Sequence, residues 1–335
     1  MAEPDYTPEF IEVLNAWEQT PPLTAEFVFD LPPGDTRKAD KVGVLMYQAV
    51  LMKQDHAELD FSRIRAVTFT MDVHRTGDEL ERIVGHDLPH YRNAAARLDV
   101  FHINLGAGQV FIITDELAVA SLSPLLATRL AAWELLRTEL ARSVAVAALA
   151  DVAPAGEASQ PSFESARHTR WLSIARYAWT EYFCGFHAGV QGLQTPMARN
   201  RLRSALEEDP VALAQAIHQF AADADRAELT TRAEGCVKGL FEAMSEVLGQ
   251  LAAAGLQLST EDPHLDTLIR THALTAVWES LARTLAALGT DPRRWSTLAP
   301  LGSLVALGQQ YLGTHGVEYG ADELAFVRAD DNLPT

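Results

Sequence analysis

Cysteine is nearly absent from this chain: Cys184 and Cys236 are the two in 335 residues, and no Cys-x-x-Cys pair occurs. That excludes a disulfide framework and a cysteine-built zinc site. Basic residues are also scarce, with 27 Lys and Arg against 45 Asp and Glu and a formal charge of −18. Such acidity repels phosphate backbones and excludes broad nucleic-acid binding. The basic cluster of note, Arg199-Asn200-Arg201-Leu202-Arg203, runs into Glu207-Glu208-Asp209 and reads as a solvated helix face. No apolar run reaches the roughly 18 to 20 residues of a membrane span. The start, Met1-Ala2-Glu3-Pro4-Asp5, lacks the basic and apolar regions of a signal peptide, so cytoplasmic residence is the expectation. Walker, Gly-x-Ser-x-Gly and cysteine-nucleophile patterns are missing, and Gly106-Ala107-Gly108 lacks the context of a dinucleotide loop.

What is present is an apolar fraction of 48% with 21% charged residues, the balance of a globular protein long enough for one large domain or two modest ones. Helical spacing marks residues 8–19 and 41–55, and Phe27-Val28-Phe29 is a short strand candidate. Alternation from Ile64 through Val73 predicts a half-buried strand, followed by a helix over 87–98. Residues 100–105 and 109–114 predict a hairpin across the Gly106-Ala107-Gly108 turn. A long Leu- and Ala-rich helix is expected over 122–150, then a small-residue linker over 153–161. Everything beyond reads as helical, with candidates at 164–192, 197–207, 210–224, 227–254, 261–288, 291–295 and 297–313. The fold class expected is α+β, predominantly α-helical. A small mixed sheet packs on a long helix in the N-terminal half, and the C-terminal half is a helical bundle. The regions are 1–150 and 164–330, the first helix of the second completing the core of the first.

One stretch of the long helix stands out, Thr138-Glu139-Leu140-Ala141-Arg142. Residues four apart share a helix face, which is how two histidines in a His-Glu-x-x-His helix converge on zinc while the Glu handles a proton. A later segment reads Trp179-Thr180-Glu181-Tyr182-Phe183. With the order strand, helix, hairpin, long helix, second helix, these residues resemble the zincin-like metallopeptidases over about residues 60–190. The resemblance implies that Glu139 stands at the catalytic glutamate and Glu181 at the third metal ligand. Thr138 and Arg142 occupy the two histidine positions and depart from the pattern. Thr138 is a poor zinc ligand and Arg142 puts a permanent cation where the ion would sit, so the frame implies no metal and no peptidase activity.

Each of these residues has a plainer reading. Glu139 can simply pair with Arg142 at i+3. Glu181 lies among Trp171, Tyr177, Trp179, Tyr182 and Phe183, the composition of a core helix, although a buried carboxylate needs a partner. Alternatively Glu139 and Glu181 hold Arg142 in place of the ion, with Thr138, Trp179 and Tyr182 beside it as binding residues. Cys184 and His187 form a two-ligand fragment. The rival metal pair, His86 and His90, brackets Pro89 at a helix start and shares no helical face, but His74 and His102 on nearby strands could converge with it. Three functions remain open. The first is an inactive zincin-like binding or regulatory module with a protein partner and no cofactor. The second is a hydrolase that holds zinc through a different ligand set. The third is an acidic helical interaction module unrelated to peptidases.

Overall fold

The structure is a computed structural model that describes residues 26–30, 64–70, 73–84, 100–104, 109–114, 117, 126–152, 166–189, 196–320 and 323–327. They are predominantly helical. The chain divides into two compact units, Met1–Ala147 and Ala148–Thr335. The helix candidates at 8–19, 41–55 and 87–98, the linker at 153–161, and His86 and His90 lie outside the described residues.

In the first unit, strands β1 (Glu26–Asp30), β2 (Ile64–Thr70), β3 (Val100–Asn104) and β4 (Gln109–Thr114) pair in the order β1-β2-β4-β3. The β1–β2 and β2–β4 ladders are parallel and the β3–β4 ladder is antiparallel. Helix α1 covers Val73–Val84, whose first residue the sequence reading places at the end of a strand and whose remainder it assigns to no element. Val73, Leu80 and Val84 recur at helical spacing, and that period outruns the alternation of β2. The Thr76 hydroxyl donates to Thr70 Oγ1 at 2.8 Å, tying the first turn of α1 to the end of β2. Helix α2, Leu126–Val152, carries the division between the units.

The second unit is built on α3 (Ala166–Gly189), α4 (Pro196–Asp223) and α5 (Arg226–Ala254). Contacts fix their directions. Arg170 meets Glu234, Tyr177 meets Lys238, and Gly185 meets Glu246, so α3 and α5 run the same way. On α4, Arg201 meets Glu246 while Asp209 meets Gly239, so α4 runs against α5. Trp171, Trp179, Leu202, Leu206, Leu213 and Phe241 are fully buried. A Cβ on Gly185 would stand 2.0 Å from the Glu246 carbonyl oxygen, and one on Gly249 would stand 2.2 Å from that of Tyr182. The α3–α5 seam is therefore backbone against backbone, a spacing no side chain larger than hydrogen permits.

The helix ends follow their capping residues. Asp225 accepts from the amides of Ala227 and Glu228 to start α5, and Gly255, at φ 66, ends it. Helix α4 continues through Pro210, where the sequence predicts a break between 197–207 and 210–224. Leu202, Leu206, Leu213 and Ala216 keep one buried face on both sides of the proline, and that packing outweighs the missing amide. The expected single helix over 261–288 is two pieces, α7 (Pro263–Thr271) and α8 (Thr275–Leu288), preceded by a short turn of helix, α6 (Leu258–Glu261). Asp262 caps α7 by accepting from the Leu265 amide, and Ala273, at φ 56, separates α7 from α8. The candidate at 291–295 is a 3₁₀ turn, Pro292–Arg294, and a second turn, Ala299–Leu301, precedes α9 (Gly302–Thr314).

The last element is not helical, contrary to the sequence reading: β5 (Val317–Tyr319) and β6 (Ala325–Val327) form an antiparallel pair after Gly316, at φ 73. The pair is bound to the helices at several points. The Arg167 amide donates to Glu323 Oε2 at 3.1 Å and the Arg170 guanidinium to the Glu323 carbonyl at 3.1 Å. Arg226 donates to the Leu324 carbonyl at 2.8 Å, and the Ala325 amide to the Thr230 hydroxyl at 2.7 Å. The Tyr319 hydroxyl donates to Glu234 Oε1 at 3.0 Å, beside the Arg170–Glu234 ion pair at 2.9 Å. Among the described residues, no helix is long and apolar enough to cross a membrane.

Candidate functional site

The motif of α2 lies in the first unit. Leu136, Leu140, Ala141, Val144 and Ala145 are buried, and Thr138 and Glu139 share that burial at 9% and 8% exposure. Arg142 forms an ion pair with Glu139 one turn along the helix. The i,i+3 pairing read from the sequence is what the helix makes, but in a largely buried setting rather than on a solvated surface. There the removal of one partner costs more than at an exposed site, because the remaining charge is left buried and uncompensated.

Glu181, which the resemblance expects at a third-ligand position, lies on α3 in the second unit and is 4% exposed. Its Oε2 accepts from the Arg201 guanidinium at 2.7 Å, and the same nitrogen donates to Glu246 Oε2 at 2.5 Å. Arg201 thus joins buried carboxylates from α3 and α5 to α4. It belongs to the basic cluster that the sequence reads as a solvated face, and that reading holds in part. Arg203 bonds Asn200 at an exposed site, whereas Arg201 is committed to the bundle and Arg199 donates to the Glu261 carbonyl at 3.4 Å. Two carboxylates sharing one guanidinium form charge-assisted bonds, the strong class of hydrogen bond.

Trp179 and Tyr182 flank Glu181 and are packed into the core of the unit. Trp179 is fully buried, donates from Nε1 to the Gly289 carbonyl at 2.9 Å, and stacks edge-on against Trp295 at 5.2 Å between ring centroids. Tyr182 lies 6.4 Å from the Phe186 ring, and burial raises its hydroxyl above the ordinary tyrosine range. Cys184 is buried and takes part in no disulfide. His187 sits 4.4 Å from the Phe183 ring, and burial pushes its imidazole down to about 4, which keeps it neutral at physiological pH. Among the described residues, no group of three or more His, Cys, Asp or Glu is placed to hold a metal ion.

Sequence reasoning missed Arg201, Glu246 and the Glu234 network. Their signal was weak, since a glutamate and an arginine on separate long helices carry no local spacing that pairs them. No family model, no curated protein and no solved structure matches the chain.

Proposed function

We propose that the chain is a catalytically inactive, zincin-like protein kept as a binding or regulatory module. It works in the cytoplasm, without a metal cofactor, on a protein partner. The observation that supports this reading is the buried Glu139–Arg142 ion pair of α2. In the resemblance, Arg142 stands at the second histidine and Glu139 at the catalytic base. A carboxylate held by a guanidinium is a poorer proton acceptor, and a fixed cation at the ligand position opposes a divalent ion. The finer architecture, a small mixed sheet packed on the long helix, is part of the same proposal.

A second reading is favoured by a separate observation. Glu181 pairs with Arg201, which also holds Glu246, and this accounts for its burial without any metal ancestry. On that reading the protein is an acidic helical interaction module with no peptidase relation. The third possibility, a zinc hydrolase drawing on His86 and His90, predicts stoichiometric metal in the native protein.

The test has two parts. Elemental mass spectrometry of untagged protein, purified without added metal, is expected to show far less than one zinc per chain. One equivalent would overturn the inactive reading. Zinc titration of the Thr138→His, Arg142→His double variant follows. If α2 is a zincin helix, the variant takes one zinc. A double variant that takes no zinc would sink the resemblance and leave the interaction module.

A further inference from the structure

The Asp209 carboxylate lies at the junction of α4, α5 and α9 in an arrangement that a purely structural aspartate does not need. It lies over Gly239 of α5, where a Cβ would stand 2.8 Å from Asp209 Oδ2 and 3.3 Å from Oδ1. Among the described residues no hydrogen bond or ion pair reaches this carboxylate. A half-buried carboxylate without a donor is unfavourable in its charged form. The next residue is Pro210, inside α4, so the Leu206 carbonyl lacks its helical donor at the same level. A turn of α4 short of one backbone hydrogen bond and a carboxylate without a donor therefore coincide.

The groups around Asp209 are as follows. Glu208 on α4 is a second negative charge. From α5 come the buried Cys236 thiol, raised first by burial and then by the Asp209 charge, and Arg232, which is ion-paired to Glu228 at 2.5 Å. From α9 comes Tyr311, raised first by burial and then by Cys236 and Asp209, with His315 4.9 Å from its ring. Helix α7, which packs on α4, carries His264 and the Asp266–Arg270 pair at 2.6 Å, and β6 brings no ionisable side chain.

We propose that this junction is a proton-operated clasp: proton uptake by Asp209 tightens α4 on α5 at Gly239, and proton loss loosens it. Burial first, and then Glu208, push the carboxyl up from the ordinary aspartate value to about 6. The sign follows directly. A carboxyl raised in the folded state favours the protonated native form, so the clasp is fully closed below about 4 and opens as pH rises through about 6. The clasp lies wholly in the second unit and stands whether or not α2 derives from a peptidase.

The experiment is amide hydrogen exchange of the full chain between pH 5 and pH 8, corrected for intrinsic exchange. Carbon-13 titration of the Asp209 carboxyl runs beside it. Protection of amides 211–216 is expected to fall by roughly tenfold across that range relative to amides 281–285 of α8, the shift being discounted because water still reaches the group. Asp209→Asn is expected to hold that ratio flat and high. The carboxyl itself is expected to titrate near 6 in the wild-type protein, a readout that survives if the variant fails to fold. A wild-type ratio that does not change with pH, or a carboxyl titrating in the ordinary aspartate range, overturns the clasp.

Discussion

Replacing Gly249 by alanine sets two effects of opposite sign against each other. Inside a helix, Gly→Ala stabilises by up to about 1 kcal/mol through backbone entropy alone. At Gly249 the new Cβ would stand 2.2 Å from the Tyr182 carbonyl oxygen and 2.6 Å from the Phe186 nitrogen, against an ordinary contact beginning at 3.4 Å. Both opposing atoms are backbone in the last two turns of α3, so no rotamer change relieves the overlap, and the helices must part by about 1 Å. A gap of that size forfeits a quarter to a half of the dispersion attraction along the seam, and overpacked cores lose about 1–3 kcal/mol. The net expectation is a loss of about 2 kcal/mol and a fall in Tm of roughly 4–8 °C. Gly235→Ala supplies the control on the same helix: nothing lies within 4 Å of where its new Cβ would stand, so propensity alone should raise Tm by roughly 1–3 °C. Thermal unfolding followed by circular dichroism separates the two. If Gly249→Ala matched Gly235→Ala, the close seam between α3 and α5 would be wrong.

Other expectations follow from the charged groups. Arg201→Met removes the cation shared by Glu181 and Glu246 and should cost about 1–3 kcal/mol in urea denaturation, a buried-pair value reduced because the arginine is partly exposed. His187, held down at about 4 when folded, binds its proton more readily in the unfolded chain. Its contribution is present above the ordinary histidine value of about 6.5 and is lost as pH falls towards 4. His187→Phe should therefore flatten the pH dependence of stability in that window relative to wild type, and a parallel profile would refute the assignment. Truncation of the chain before Val317 should weaken protection of the first turn of α3, read by hydrogen exchange, because Glu323 accepts the Arg167 amide there.

Legibility in the sequence followed the range of the forces involved. The bounds of α5 were readable because Asp225 and Gly255 act within a few residues of the ends they fix. The Glu139–Arg142 pair was readable because both residues lie on one helix a turn apart. The passage of α4 through Pro210 was not, since it depends on Leu202, Leu206 and Leu213 meeting other elements. Ala273 was hidden for a different reason: alanine carries no mark of the left-handed conformation it adopts. The β5–β6 pair is too short for its alternation to stand out from helical neighbours, and its hold on Arg226 and Thr230 spans most of the unit. The Glu181–Arg201–Glu246 bridge was least legible, because three helices must assemble before its members meet.

The attachment of the C-terminal pair also bears on how the unit is made. Arg167 lies in the opening turn of α3, and its amide is received by Glu323, a residue synthesised long after that helix has left the ribosome. Until then the start of α3 lacks this carboxylate cap, whereas α5 carries its own in Asp225. The same late segment supplies the carbonyls that receive Arg170 and Arg226. The unit thus depends on its β5–β6 segment, so a nascent chain that stops before that segment exposes the entrance of α3 to fraying and cleavage.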